Sequence, residues 1–259
     1  RSFIVVDQLS NKRVVITCAD IWSCTQAVKM EVVKRLGNIY GNDLYTIDNV
    51  LLCGTHTHSG PGGYSHYALY NLTVLGFDQQ NFECIVNGMV ESIKRAHDNL
   101  APGDIFISRG TIEECGRNRS PIAYDNNPGH ERNRYQCNTD KEMLLVKFVK
   151  SNGKEVGCIN WYAIHPTNRG NKNRLISSDN KGYASYLFEK EMGTDILEKE
   201  TFVAAFANSN CGDVSGNVKY GVPDLVHDFV RMQEFGNKQY TKAKELFNSA
   251  SEKLTGGID

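Results

Sequence analysis

The stretch CGTHTHSGPGG at residues 53–63 sets His56 and His58 two positions apart, ahead of a Ser-Gly-Pro-Gly-Gly run. In an extended segment residues i and i+2 point to one face, so both imidazoles would enter one pocket. Neutral imidazoles are metal ligands, and Thr55, Thr57 and Ser59 supply hydroxyls suited to orienting them. The glycines and Pro61 shape a bend that lets the backbone approach a ligand closely. The same residues also read as a catalytic acid–base pair, or as a solvated turn with incidental histidines. The stretch by itself leaves all three readings open.

Three further motifs carry chemistry. His165 ends the apolar run WYAIHPTN, where a lone histidine beside a proline is commonly a satisfied structural residue. It gains interest only in the company of His56 and His58, because three histidines suffice for a catalytic zinc with an open position for water. NSNCGDVSGN at 208–217 holds Ser215 in a Gly-flanked polar turn, unlike a G-x-S-x-G elbow since Asp213 and Val214 precede it. That hydroxyl is a nucleophile if a histidine lies within reach, a substrate contact, or a turn-capping group alongside Asp213. Arg117 and Arg119 in GRNRSPIAYDNNP either hold substrate oxygens through a planar fork or are solvated surface arginines.

The elements that must position these residues follow from hydrophobic periodicity. SFIVVD and RVVITCAD read as a hairpin, and Val28, Val32, Val33 and Leu36 as a helix closed by Gly37. NVLLCG is a short buried strand running into the histidine loop, and residues from Phe82 to Ala96 form the clearest amphipathic helix. DIFISRG is a strand, and MLLVKFV and EVGCINWYAI form a second hairpin turning at Asn152-Gly153. A helix over 179–192, the strand FVAAFA and a final polar helix over 239–253 complete the chain, while 113–140 reads as a long polar loop. This alternation predicts one α/β domain, a mixed sheet with helices packed around it. Each polar motif follows a strand, so the three should converge at one sheet edge.

Composition excludes some classes. With 259 residues the chain is long enough for one sizeable core or two small ones, and a net charge of -1 leaves no basic footprint for nucleic acid. No run approaches the roughly 18 apolar residues of a transmembrane segment. Eight cysteines without a C-x-x-C pair argue against a disulfide framework, and Cys18, Cys53, Cys158 and Cys211 read as thiols in apolar surroundings. N-x-[ST] triplets stand at Asn71 and Asn118. The chain begins at Arg1 inside a strand, without initiator Met or signal-peptide pattern, and reads as a fragment.

Taken in order, GTHTHSGPGG, NRSPIAYDNNP, NTDKEMLLVKFV, WYAIHPTN, SSDNKGYASYLFE and FVAAFANSNCGDVSGN resemble the neutral (non-lysosomal) ceramidase family, over essentially the whole chain. The resemblance implies a zinc-dependent enzyme that hydrolyses the amide of ceramide to sphingosine and a fatty acid. It implies His56 and His165 as zinc ligands, His58 as the neighbouring acid–base residue, and Arg119 as a substrate or transition-state contact. Ser215 matches the serine of the family's G-D-x-S-P-N hexapeptide, often assigned as nucleophile. It further implies a lipid substrate drawn from membranes or micelles and an extracellular or cell-surface location.

An amide is a poor electrophile with a poor leaving group, so both attack and departure need help. Either Ser215 attacks and an acyl-enzyme follows, or metal-activated water attacks and Ser215 orients the substrate. Activated water makes the covalent intermediate unnecessary, which favours the second account. Two departures from the family stand out. Gly216 replaces the hexapeptide proline, which should loosen the turn. The family's remaining zinc ligands, a Glu and a Tyr, lie beyond the region matched here. Residues 1–259 are therefore expected to be part of one catalytic domain, truncated at its C-terminal side and lacking the family's immunoglobulin-like domain. His58 or Asp20 could substitute as a ligand. KYGVPDLVHDFVRMQEFG, at 219–236, offers no family motif. Two other readings stand beside the enzyme: a catalytically incomplete ceramide-binding fragment, and a metal-independent serine hydrolase using Ser215 and His58.

Overall fold

The computed structural model of the chain describes residues 1–217 and 225–258. Its elements run β1 (Ser2–Val6), β2 (Arg13–Ala19), α1 (Gln26–Tyr40), β3 (Val50–Gly54), α2 (Ala68–Asn71) and α3 (Gln79–Asp98). The next are β4 (Gly103–Thr111), β5 (Arg117–Asn118), α4 (Pro121–Asp125), α5 (Gly129–Arg132), β6 (Glu142–Lys150) and β7 (Glu155–Tyr162). α6 (Asp179–Glu191), β8 (Val203–Asn208), β9 (Val214–Ser215), α7 (Leu225–Ser249) and β10 (Glu252–Lys253) complete the order.

The α/β expectation holds, with the strands divided between two main mixed sheets. One has the order β1-β2-β3, the other β10-β4-β6-β7-β8, and β5 and β9 form a small ribbon. β1 runs antiparallel to β2, and β3 joins β2 in parallel register with Cys18 opposite Cys53. In the larger sheet β4, β6 and β7 are antiparallel, and β8 adds in parallel to β7.

Alternation along the strands builds the layers. Val15 and Val50 face a cluster with Val28, Val32 and Leu36 of α1 and Phe82, Val86 and Ile93 of α3. Phe3 and Cys18 meet Ile159, Ala205 and Ala207 from the other sheet. Leu145, Cys158, Ala204 and Phe206 face Phe188 of α6 and Phe235 and Phe247 of α7. The result is four layers: helices, sheet, sheet, helices. Truncating a buried aromatic such as Phe206, 1% exposed, would cost about 3–5 kcal/mol.

Several boundaries differ from expectation. α1 is capped by the Thr25 hydroxyl, which accepts from Val28 N at 3.4 Å, and it runs through Gly37 to Tyr40. The stop is Gly41, whose φ of 87° suits glycine and whose N–H donates to the Gly37 carbonyl. β3 is an edge strand with Leu51 exposed and only Val50 buried. The last helix begins at Leu225, and residues 252–253 pair with β4 as a strand. The loop at 113–140 contains β5, α4 and α5. Part of 219–236 lies outside the described residues.

Candidate metal centre at the seam of two sheets

The histidine loop continues the pairing of β3. Thr55 N donates to the Ala19 carbonyl at 2.8 Å and His56 N to the Ile21 carbonyl at 3.0 Å. His56 then takes a φ of 71°, so the chain turns there and the segment is not extended. The two imidazoles nevertheless meet, with ring centroids 4.9 Å apart. Past His58 the loop is pinned to the approach of α6. The buried Thr57 hydroxyl donates to the Ser177 carbonyl at 2.6 Å, and Ser177 N donates to the Ser59 carbonyl at 2.9 Å.

His165 comes from the other sheet. β7 ends at Tyr162, and His165 N donates to the Val214 carbonyl at 2.9 Å. Its ring lies 4.9 Å from His56 and 5.7 Å from His58. The motifs therefore converge on a seam between two sheets, where one sheet edge was expected. The sheets pack through alternating apolar faces, which brings the end of β3 beside the ends of β7 and β8.

Ring tautomers follow from the hydrogen bonds. His56 Nδ1 donates to the Trp22 carbonyl at 2.8 Å, and His165 Nδ1 donates to the Cys211 carbonyl at 2.6 Å. A carbonyl only accepts, so in both rings Nδ1 carries a proton, and in the neutral form Nε2 is the atom left to bind a metal. The threonine hydroxyls expected to orient the rings do not do so: Thr57 binds Ser177, and Thr55 Oγ1 is buried without a partner among the described residues.

One ligand atom from each of His56, His58 and His165 lies within 4.8 Å of the others. Zinc–nitrogen bonds of about 2.0–2.1 Å place tetrahedral ligands roughly 3.3 Å apart. Donor type, tautomer and spacing thus fit a zinc ion after a small inward adjustment. Asp20 does not fill in as a ligand, since its carboxylate is exposed and pairs with the Arg1 guanidinium at 3.1 Å. Among the described residues no carboxylate joins the three histidines.

Electrostatics keep the bases free. Burial, reinforced by the His56, His165 and Arg119 charges, pushes His58 down to about 4. His165 is also lowered, first by burial and then by Arg119 and His56, against the Cys211 carbonyl, which favours the charged ring.

Ser215 sits on the small ribbon, and Arg119 directly follows its other strand. Arg117 pairs with Ser215, Asn118 with Val214, and Arg119 N donates to the Asp213 carbonyl at 2.8 Å. Arg119 borders a cavity of about 670 Å3 that also touches Trp22, Leu52, His56, His165 and Asn208. Ser215 bridges His165 through the backbone, and its Oγ accepts from Asn217 N at 3.1 Å. No hydrogen bond joins Ser215 Oγ to an imidazole among the described residues. Gly216, expected to loosen the turn, is closely packed. It is buried, its carbonyl accepts from Asn168 Nδ2 at 2.9 Å, and a Cβ there would meet Asn168 Oδ1 at 2.7 Å.

Sequence reasoning missed the support beneath the site. Asp179, Asn180 and Lys181 open α6 and are all buried. The Asp179 carboxylate accepts from Asn168 N and Arg169 N, and Asn180 Nδ2 donates to the His165 carbonyl at 3.2 Å. Lys181 Nζ donates to the Tyr162 and Ala207 carbonyls at 2.7 and 2.9 Å. Burial pushes Lys181 down to about 7. The sequence signal was the stretch SSDNKGYASYLFE, which entered the family resemblance without a role for its polar residues. Both N-x-[ST] asparagines are buried as well: Asn71 donates to the Ser65 carbonyl, and Asn118 donates to Asn138 O and Asp213 Oδ2, each at 2.8 Å.

Known proteins share this architecture. The family model described as "Neutral/alkaline non-lysosomal ceramidase, N-terminal" matches residues 1–224. Neutral ceramidase B of Dictyostelium discoideum is 41% identical over all of this chain, which spans 40% of that relative's length. The crystal structure of neutral ceramidase from Pseudomonas aeruginosa superposes with a TM-score of 0.89 at 41% identity, over 99% of this chain and 40% of that one. A ceramidase complexed with C2 superposes with a TM-score of 0.89 at 40% identity, over 99% of this chain and 39% of that one.

Proposed function

Given that the chain belongs to the neutral/alkaline non-lysosomal ceramidase family, we propose that it forms part of a zinc-dependent active site. That site cleaves the N-acyl bond of ceramide to give sphingosine and a free fatty acid. The observation that carries this reading is the meeting of His56, His58 and His165 with two Nδ1 protons tied to carbonyls.

In this reading His56 and His165 hold the zinc through Nε2. Zinc held there would supply Lewis-acid chemistry for an amide carbonyl and would lower the pKa of water towards neutrality. His58, kept neutral by its surroundings, takes a proton from the nucleophile and returns it to the departing amine. Arg119, at the cavity rim, stabilises negative charge developing on the carbonyl oxygen. Ser215 lies on the strand bonded to His165 and orients the substrate. The reading extends to ceramide drawn from membranes or micelles and to an extracellular or cell-surface location. No helix among the described residues is long and apolar enough to cross a membrane.

Hydrolysis of a fluorescent ceramide, with added zinc and with a chelator, tests the proposal in this chain and in a longer form of the protein. Zinc-dependent turnover by residues 1–259 would make His58 a third ligand. Turnover by the longer form alone would assign the other ligands to residues outside the chain, as the family resemblance implies. Ceramide binding without turnover in either form would overturn the enzymatic reading.

A further inference from the structure

Asn208 closes β8, and its side chain reaches both histidine loops. Nδ2 donates to the Thr55 carbonyl at 2.7 Å, and Oδ1 accepts from Ile164 N at 3.2 Å. The amide has one possible orientation, because Thr55 O only accepts and Ile164 N only donates. Thr55 immediately precedes His56, and Ile164 immediately precedes His165. These two neighbours extend from different sheets, so one side chain ties together the backbones that deliver both rings.

Other directional ties between the two loops run indirectly, through α6: Thr57 and Ser59 bond Ser177, and Asn180 bonds the His165 carbonyl. His58 N reaches the Pro166 carbonyl at 3.4 Å, near the outer limit of a hydrogen bond. Behind the loops the sheets meet through Phe3, Cys18, Ile159, Ala205 and Ala207. Such apolar burial is non-directional and permits small sliding between layers. Directional bonds convert layer packing into a fixed distance between imidazoles, and those of Asn208 act on the residues next to both rings.

We propose that Asn208 is a positioning residue of the histidine centre, its amide locking the two sheets at the offset that brings His56 against His165. Asparagine suits the task because it donates and accepts at once. Aspartate keeps the Ile164 bond but sets a carboxylate oxygen against the Thr55 carbonyl. Leucine, of similar shape, makes neither bond. The metal-affinity arm of the test rests on the zinc reading above; the imidazole arm does not.

The variants Asn208→Leu and Asn208→Asp are made in the 259-residue chain. Two properties are read: contacts and tautomers of the His56 and His165 rings by NMR without metal, and zinc affinity by competition with a chromophoric chelator. In the leucine variant the His56–His165 ring cross-peaks should fall below half their wild-type intensity. Its zinc affinity should drop about ten- to a hundredfold, as when other ligand-orienting groups are lost. The aspartate variant should lose the same cross-peaks while His165 keeps its Nδ1 proton. A folded leucine variant with wild-type cross-peaks and wild-type zinc affinity would overturn the proposal. Wild-type protein that binds no zinc, yet shows cross-peaks that Asn208→Leu abolishes, would reject the metal reading and retain the positioning role. If the leucine variant does not fold, the aspartate variant decides by the same cross-peaks. If neither folds, Asn208 is a folding determinant and the proposal fails.

Discussion

His165 donates its Nδ1 proton to the carbonyl of Cys211 at 2.6 Å, so the state of a candidate ligand is set by a residue 46 positions further along the chain. The acceptor is backbone, and no substitution at Cys211 removes it. What a mutation alters is where that carbonyl sits. The site's sensitivity therefore lies in loop placement and in the charges around the rings, more than in the ligand list.

Arg119 is one such charge. It helps to depress both His58 and His165, behind burial in each case. Arg119→Ala should raise the pKa of both rings in the metal-free protein, lifting His58 from about 4, as read by NMR titration. In the active protein the same change should lower kcat about 10²- to 10³-fold with a smaller effect on KM, the signature of a lost transition-state contact.

Ser215 separates two chemistries. With its Oγ accepting from Asn217 N and no imidazole bonded to it, the hydroxyl lacks an evident base. Ser215→Ala should slow turnover without abolishing it. Rapid quenching of the wild-type reaction followed by mass spectrometry should find no acyl group on Ser215. An acylated serine would make it the nucleophile.

Lys181 gives the protein a pH dependence of known sign. Its amine titrates near 7 when folded, against 10.5 for an ordinary lysine. Between those values the unfolded chain binds more protons, so this group's contribution makes stability rise with pH from about 7 to 10.5 and stay flat below about 7. The span is on the order of a few kcal/mol. Cys24, Cys115 and Cys158, raised by burial, work in the opposite direction above their ordinary range. Lys181 is therefore isolated by difference: in urea unfolding across this window, wild type minus Lys181→Met should rise with pH.

The sequons should stay unmodified. Asn71 and Asn118 are 7% and 6% exposed, which leaves no room for a sugar, and Asn118 Nδ2 donates two hydrogen bonds of which a glycan would remove one. Peptide mass spectrometry after expression through a secretory pathway should find neither carrying sugar. Asn118→Ala should cost about 1–3 kcal/mol by stranding Asp213 and the Asn138 carbonyl.

Much of the frame was legible in sequence. The two hairpins, the amphipathic helix carrying Phe82, Val86 and Ile93, and the strand before each polar motif emerge from periodicity alone. The meeting of His56 and His58 was anticipated for a reason the structure does not bear out, since His56 occupies the left-handed region and no extended segment aligns the rings. Other features had no side-chain signature. Trp22 and Cys211 act through carbonyls, and every residue has one. Asn208 matters because two sheets pack together, and Lys181 because α6 packs over the ends of β7 and β8; local patterning encodes neither contact. Buried Lys181 runs against the usual reading of lysine as surface.

The seam between the sheets has a mechanical meaning. His56 rides on one layer and His165 on the other, so an ion gripped by both would act as a stitch through the fabric of the domain. Peeling the layers apart would then require breaking metal–nitrogen bonds loaded in tension, in addition to the packing that already joins them.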